Sequence, residues 1–304
     1  LENNLKTGDT PTITYSKQGQ YGQETLETGA LPKGANTYIA TLTVGDKSVS
    51  VDYTVEKADL TITANDNTII YGDVPTGFGV RYDGFVNGED KSVLSGSPNI
   101  YFTGYSQYGD AGVYKGAINV GGLTAVNYNI KTVPGTLTVE PREVTLTWYN
   151  YENRTYGDRK RVYATAGNLL EADVDKVVVE LSGNAADAAG TFIAIAERLN
   201  GYGAHNYKLP TTGLEQEYTI GLAAQTLTFE KTGDQSVTYG NTLANPATNK
   251  SAGGSAVTYS SSDPNVATVD ENGTVTARNV GTTTITATAA AVTGKYSEAT
   301  VSYK

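Results

Sequence analysis

The 304-residue chain contains no cysteine and no methionine, one histidine and one tryptophan. The lack of cysteine excludes disulfide bonds, cysteine-ligated zinc, iron–sulfur clusters and cysteine nucleophiles. A site with two or three histidine ligands cannot be built from His205 alone, and any Ser-His-Asp arrangement would depend on that residue. We therefore expect no metal, no cofactor and no enzymatic activity, and we interpret His205 as a surface or packing residue.

The formal net charge is -10, so phosphate backbones and anionic lipid surfaces would repel the chain. Apolar runs are also short, because none approaches the ~20 residues that a transmembrane helix needs. We expect neither a nucleic-acid partner nor membrane insertion. The chain opens at Leu1 without a signal peptide and closes on a strand-like stretch, and we interpret it as a fragment of a longer protein.

A tripeptide that begins Tyr-Gly recurs at intervals of 85 and 83 residues, as Tyr71-Gly72-Asp73, Tyr156-Gly157-Asp158 and Tyr239-Gly240-Asn241. A period of this length fits one small domain per repeat. In the first two repeats, Asp110–Tyr114 is echoed by Asp187–Phe192, and Asn127–Ile130 by Asn206–Leu209. We predict four tandem domains, at residues 1–57, 58–140, 141–222 and 223–304, the first of them a smaller or truncated relative.

Apolar and polar residues alternate along most of the chain, which indicates strands with one buried face. In the first segment, Tyr38–Val44 and a return strand through Val49, Val51, Tyr53 and Val55 predict a hairpin of this kind. The fold class is therefore β-rich and multidomain, with small domains arranged as an elongated rod.

One helix is predicted at Asn87–Leu94, with a counterpart at Leu169–Val174 in the second repeat. Two strands, a short helix and further strands follow the order of a β-grasp domain. The alternative for both repeats is a plain sandwich whose loop holds one helical turn. In the last segment, strands around the turn Asp270–Gly273 and a long alternating strand from Thr282 predict an immunoglobulin-like sandwich.

Two stretches resemble known families. Val257–Ala289 resembles the bacterial immunoglobulin-like domain of group 2, found in intimin- and invasin-like proteins. The two middle repeats resemble the MBG family of bacterial surface-protein repeats, the type marked by Tyr-Gly-x. The matching features of the first repeat are Tyr71–Asp73, Tyr82–Asp90, Ala111–Tyr114 and Asn127–Ile130, whereas the second departs at Gly167–Asp173.

These families occur in tandem in large secreted or wall-attached adhesins. The resemblance therefore implies an extracellular location, at the bacterial surface or secreted, and a structural or adhesive role. It supplies no catalytic residues.

Aromatic residues are the candidates for ligand contact, because the chain has 22 tyrosines and rings of this kind stack on sugars. Two groups stand out: Tyr105 with Tyr108, and Trp148 with Tyr149 and Tyr151. Trp148 occupies the position of Ala64 in the first repeat, so it is specific to the second. The competing interpretation is core and edge packing.

The joints between the predicted domains are short. Glu56-Lys57 and Glu140-Pro141 connect closing strands to opening strands with no flexible tract. The sequence thus predicts a spacer that projects a binding or catalytic domain from the cell, whose partners are the neighbouring domains of the same polypeptide. The alternative is a module that binds a glycan or a host surface protein through its aromatic residues.

Overall fold

The computed structural model describes residues 10–304, and these consist of strands, turns and three short 3-10 segments. The predicted all-β class is confirmed. Clustering of the chain gives two compact units, Leu1–Arg142 and Glu143–Lys304. The four predicted domain limits remain a prediction.

The first unit opens with a four-stranded antiparallel sheet in the order β2-β1-β3-β4. Val49 lies opposite Leu42, and Leu42 lies opposite Ile13, so these apolar residues share one face. The predicted hairpin is confirmed, but its face is not buried, because within residues 10–57 no second sheet covers it and Val49 is 65% exposed. The strands are β1 (Thr12–Gly19), β2 (Gly22–Thr25), β3 (Asn36–Val44) and β4 (Lys47–Val55).

The first repeat is a sandwich of two sheets, ordered β10-β5-β7 and β6-β11-β9-β8. Strand β5 pairs in parallel with β10, and β6 pairs in parallel with β11; the other pairs are antiparallel. The strands are β5 (Ala58–Ala64), β6 (Asn67–Ile70), β7 (Val80–Asp83), β8 (Ser95–Phe102), β9 (Gly112–Thr124), β10 (Tyr128–Val133) and β11 (Gly135–Glu140).

Alternation along the strands builds the core between these sheets. Leu60 and Ile62 of β5 are buried on one side, and Ile118 of β9 and Leu137 of β11 are buried on the other. Each such side chain contributes about 1.5–3 kcal/mol when it leaves water. Without disulfides, this packing is the main source of stability.

The second repeat has the same design, with one sheet ordered β14-β19-β17-β16 and a facing pair, β13 with β15. Ala164 of β15 packs with Val179 and Ala196 of the larger sheet. The strands are β13 (Thr145–Tyr149), β14 (Arg154–Thr155), β15 (Tyr163–Gly167), β16 (Val177–Ser182), β17 (Gly190–Gly201), β18 (Tyr207–Lys208) and β19 (Glu215–Gly221), and β12 (Arg142–Glu143) lies at the boundary of the two units.

The structure does not support the β-grasp prediction, because residues 10–304 contain no α-helix. The predicted helices are replaced by 3-10 turns of three residues, Lys91–Val93 and Glu171–Asp173. Asn87 and Gly88 have φ of 56° and 75°, in the left-handed region, so an α-helix cannot start there. The alternative, a sandwich whose loop holds one helical turn, describes both repeats.

A tyrosine hydroxyl holds this loop in each repeat. The Tyr128 hydroxyl accepts a hydrogen bond from the Val86 N–H at 3.1 Å and donates to the Glu89 carboxylate. In the second repeat, the Tyr207 hydroxyl accepts from the Leu170 N–H at 3.0 Å and donates to Asp173 at 2.8 Å. The bond to Glu89 raises the pKa of the Tyr128 phenol.

The Tyr-Gly tripeptide forms the same tight turn at each occurrence. The middle glycines, Gly72, Gly157 and Gly240, have φ of 87°, 88° and 78°, which a residue with a Cβ rarely adopts. The residue after glycine donates its N–H to the carbonyl three positions earlier, over 2.9–3.0 Å, in the pairs Asp73–Ile70, Asp158–Thr155 and Asn241–Thr238.

The last segment is an immunoglobulin-like sandwich, as predicted. Its sheets are ordered β21-β25-β24 and β23-β26-β27, with β20 paired to β22, around a core of Ala267, Val275, Ile285 and Tyr303. The predicted turn closes the hairpin β24–β25, where Gly273 has φ 77°. The strands are β20 (Leu227–Phe229), β21 (Thr242–Ala244), β22 (Ala247–Asn249), β23 (Val257–Ser261), β24 (Ala267–Val269), β25 (Thr274–Ala277), β26 (Ile285–Ala289) and β27 (Ala299–Tyr303).

We expect Tyr207→Phe to lower the free energy of unfolding of the second repeat by about 1–3 kcal/mol, because it removes a hydrogen bond to the buried Asp173 carboxylate. Urea unfolding followed by the fluorescence of Trp148, the only tryptophan, reports this repeat. Tyr202→Phe is the matched control, since Tyr202 is 82% exposed. Equal midpoints for the two variants would contradict the role of the Tyr207 hydroxyl.

Candidate functional site

Of the two predicted aromatic residues of the first unit, Tyr105 is part of the internal packing and Tyr108 is exposed. The Tyr105 ring lies edge-on between Phe102 and Tyr114, with centroids 5.8 and 5.1 Å away. Burial, and then the neighbouring Tyr114, raises the pKa of the Tyr105 phenol. Tyr108 is exposed, with φ 67°. These contacts favour packing for Tyr105 and leave Tyr108 as the accessible ring.

Trp148 and Tyr149 point to opposite faces of β13. Trp148 packs against buried residues on the core side, and its Nε1 donates to the Gly213 carbonyl at 3.4 Å. Tyr149 is on the solvent side, where its ring stacks on Tyr163 at 4.8 Å with 12° between the planes. Tyr151, beyond the end of the strand, packs on the same core as Trp148.

A cleft of about 430 Å³ lies where β13 ends and β14 begins. It brings all three predicted aromatics of the second repeat together with polar and charged side chains that the sequence analysis did not select. The lining residues are Trp148, Tyr149, Asn150, Tyr151, Glu152, Asn153, Arg154, Asp158 and Lys160.

Arg154 is the unusual member of this cleft, because it is a cation with only 6% of its surface exposed. Its Nη2 donates to the Lys160 carbonyl, and its guanidinium carbon lies 5.1 Å from the centre of the Tyr218 ring. Nε and Nη1 are buried and have no hydrogen-bond partner among residues 10–304. A buried charge whose donors are unsatisfied destabilises a fold, on the order of several kcal/mol.

The first repeat shows what normally fills this position. Strand registers place Arg154 opposite Ile220 and Ile69 opposite Val139, so Arg154 corresponds to a core isoleucine. By the same registers Trp148 corresponds to the buried Ala64, as the sequence comparison predicted. Tyr218 corresponds to Leu137, which is completely buried.

The sequence analysis missed Arg154 and Tyr218. Aligning the two repeats on their Tyr-Gly turns would have shown the replacement of an isoleucine by an arginine, since Ile69 lies two residues before Tyr71 and Arg154 two residues before Tyr156. Only the strand registers show that both positions face the core.

Two family models match the chain. Residues 60–138 match the MBG domain (YGX type), and residues 243–291 match the intimin immunoglobulin-like domain. The chain carries an MBG domain and an intimin-type immunoglobulin-like domain. The predicted resemblance is confirmed for the first middle repeat, whose match includes the Tyr-Gly-Asp turn at Tyr71, and for the last segment. For the second middle repeat it remains a prediction. The two matches together cover less than half of the chain.

Comparison with solved structures gives only distant similarity. The surface-layer protein SbsC, domains 1–6, is 17% identical over 96% of this chain and 50% of its own, with a TM-score of 0.24. Invasin, described as a bacterial integrin-binding protein, is 12% identical over 97% of this chain and 72% of its own, with a TM-score of 0.31. The immunoglobulin domains 1–5 of Sidekick-1 are 13% identical over 97% of this chain and 73% of their own, with a TM-score of 0.29.

TM-scores this low do not establish a shared fold, and the chain spans half the length of the SbsC structure. No curated protein matches the chain significantly.

MBG and intimin-type domains belong to adhesin-like proteins of the bacterial surface and are not enzymes. Among the described residues, no helix is long and apolar enough to cross a bilayer. The same residues contain no group of three or more histidines and acids that could hold a metal ion. Of the aromatic residues predicted for ligand contact, three line the cleft beside Arg154.

We expect Trp148→Ala to destabilise the second repeat by about 2–4 kcal/mol, because the indole fills the space between its two sheets. Tyr149→Ala is the matched control, with an expected cost below about 1 kcal/mol, since this ring stacks at the surface. Scanning calorimetry of both variants measures the difference. A mild effect of Trp148→Ala would place the indole at the surface instead of the core.

Proposed function

We propose that this chain is a spacer of a large bacterial adhesin-like protein, at the cell surface or secreted, and that it holds a binding or catalytic domain away from the cell. The observation that carries the proposal is that joints within each unit are short and hydrogen-bonded. Its partners in this role are the neighbouring domains of the same polypeptide.

In the first unit, only Glu56 and Lys57 separate β4 from β5. Asn127 connects the two sides of this joint, because its Oδ1 accepts from the Ala35 N–H and its carbonyl accepts from the Ala58 N–H, both at 3.0 Å. Asn127 is thus bonded both to Ala35, the residue before β3, and to Ala58, the first residue of β5. These two bonds restrict bending at the joint.

In the second unit, the repeat and the immunoglobulin-like domain are in direct contact. The Ala189 N–H of the repeat donates to the Gly294 carbonyl at 2.7 Å, and Ala223, where the last domain begins, donates its N–H to the Lys295 carbonyl and accepts from the Ser297 N–H, both at 2.9 Å. The ring of Tyr156 meets Tyr296 edge-on at 5.2 Å. Since Tyr156 belongs to the Tyr-Gly-Asp turn, this turn contacts the immunoglobulin-like domain.

We expect small-angle X-ray scattering from the intact chain to give a radius of gyration of about 35–45 Å, as for four strand-length domains in line. A single globule of 304 residues would give about 19 Å. A value near the compact limit would contradict the spacer role, because the domains would then be folded back on one another.

We expect Gly34→Ala to loosen the first joint. A Cβ at Gly34 would lie 2.6 Å from the Asn127 Oδ1, on a backbone with φ 84°. Trypsin should then cleave after the exposed Lys57 several-fold faster. Gly29→Ala is the matched control, because Gly29 has φ 83° but nothing within 4 Å of the added Cβ. Equal cleavage rates would show that this contact does not stiffen the joint.

A second role, binding of a glycan or a host surface protein through aromatic residues, is favoured by one observation. The cleft beside Arg154 gathers Trp148, Tyr149 and Tyr151 around a space of about 430 Å³, within the size range of small-ligand sites. A glycan array probed with the intact chain tests this role. The absence of binding to every glycan would leave the spacer role alone.

A further inference from the structure

We propose that the cleft beside Arg154 binds a carboxylate-bearing sugar, a uronic or sialic acid unit of an acidic glycan, and that Arg154 pairs with its carboxylate. This inference rests on the second proposed role, ligand binding, and does not depend on the spacer role.

The first support is the state of the Arg154 guanidinium. The Lys160 carbonyl and the Tyr218 ring fix its position, yet Nε and Nη1 have no acceptor among the described residues. A carboxylate supplies two acceptor oxygens and a compensating negative charge, which is the combination that a buried guanidinium lacks here.

The second support is the comparison with the first repeat. There Ile69 fills the corresponding position at 9% exposure, so the sandwich does not require a charge at this place. The second repeat has Arg154 in place of this isoleucine, Trp148 in place of a core alanine and Tyr218 in place of a core leucine. The three changes are close in space, because the Tyr218 ring lies against the guanidinium, Trp148 packs on the cluster that contains Tyr218, and Arg154 and Trp148 line the same cleft.

The third support is local charge. Residues 152–161 carry two acids and four bases, a local balance of +2 in a chain whose net charge is -10. The cleft lining itself is neutral, because Glu152 and Asp158 balance Arg154 and Lys160, and the surplus comes from Arg159 and Arg161 beside it. The segment therefore repels an anion less than the rest of this acidic chain does. The charged residues are Glu152, Arg154, Asp158, Arg159, Lys160 and Arg161.

A sugar fits the cleft better than a bare anion does. Trp148 and Tyr151 are half-buried: they pack on the core and also line the cleft, where their remaining apolar surface can meet the C–H face of a pyranose. Asn150 and Asn153 line the same cleft. Aromatic rings beside a small number of polar and charged groups are a common composition of small-ligand sites.

Access requires a rearrangement of the cleft, because Nε and Nη1 are closed off from solvent. In this proposal the segment that moves is the loop 150–153, which lines the cleft and leads into β14. Asn150 and Asn153 both hold left-handed conformations, with φ of 60° and 51°. Binding therefore rearranges the surroundings of Trp148.

This arrangement makes the test direct, because Trp148 is the only tryptophan in the chain. The intact chain is titrated with oligogalacturonate and with N-acetylneuraminic acid while tryptophan emission is recorded. We expect a saturable change with at least one of these acidic sugars and none with galactose, acetate or a glutamate-containing peptide.

Arg154→Ile, which introduces the residue of the first repeat, should lose at least ~10-fold in affinity, because the ion pair is gone. Its melting temperature should equal or exceed that of the parent, since the buried charge is removed. Arg154→Lys keeps the charge but not the forked donors, and should bind more weakly than the parent. This second variant keeps the test valid if the isoleucine variant does not fold.

The outcomes separate the two proposals. An equal response to galactose would overturn the carboxylate inference and leave ligand binding in place. An equal response to acetate or to the peptide would overturn the assignment of a sugar. Unchanged affinity in Arg154→Ile or Arg154→Lys would show that Arg154 does not bind the carboxylate. No response to any probe would overturn both the inference and ligand binding at this cleft.

Discussion

In both repeats, a short strand that follows the opening strand lies parallel to the closing strand, and the rest of each repeat depends on this pairing. It places the Tyr-Gly turn at the end of the domain, where the N–H groups of Tyr71 and Tyr156 bond the last carbonyl of the closing strand at 2.8 Å. The same register turns the preceding side chain into the core, Ile69 in one repeat and Arg154 in the other. In the second repeat, this pairing therefore positions both Tyr156, which contacts the immunoglobulin-like domain, and Arg154, at the base of the cleft.

In this chain, which has no disulfides, hydrogen bonds made by tyrosine hydroxyls fix several of the loops. Tyr128 and Tyr207 each connect a loop N–H to a loop carboxylate. Tyr38 and Tyr114 bond backbone carbonyls four residues upstream, at 3.0 and 2.7 Å. Tyrosine suits this task because its ring is buried with the core while its hydroxyl reaches the polar loop. This use explains why tyrosine is far more abundant than phenylalanine.

The second repeat differs from the first at core positions, where a sandwich tolerates changes of volume and charge least. Trp148 in place of an alanine adds volume, and Arg154 in place of an isoleucine adds a charge. The Tyr218 ring offsets part of the charge burial through its contact with the guanidinium. The cleft therefore lies where core positions have changed and where the loop between Trp148 and Arg154 is one residue longer than its counterpart between Ala64 and Ile69. Because core residues line it, stability and any binding at this site are coupled.

The sequence by itself determined the strands, the repeat and the families, because period-two alternation and recurring Tyr-Gly turns are local signals. It did not determine the helical segment, because Asn87 and Gly88 take left-handed conformations that the Tyr128 contact stabilises across 42 residues. Nor did it show that Trp148 faces the core while Tyr149 faces solvent, or that Arg154 is buried. Those outcomes depend on which strand lies opposite which, and strand register is decided only when distant segments pack.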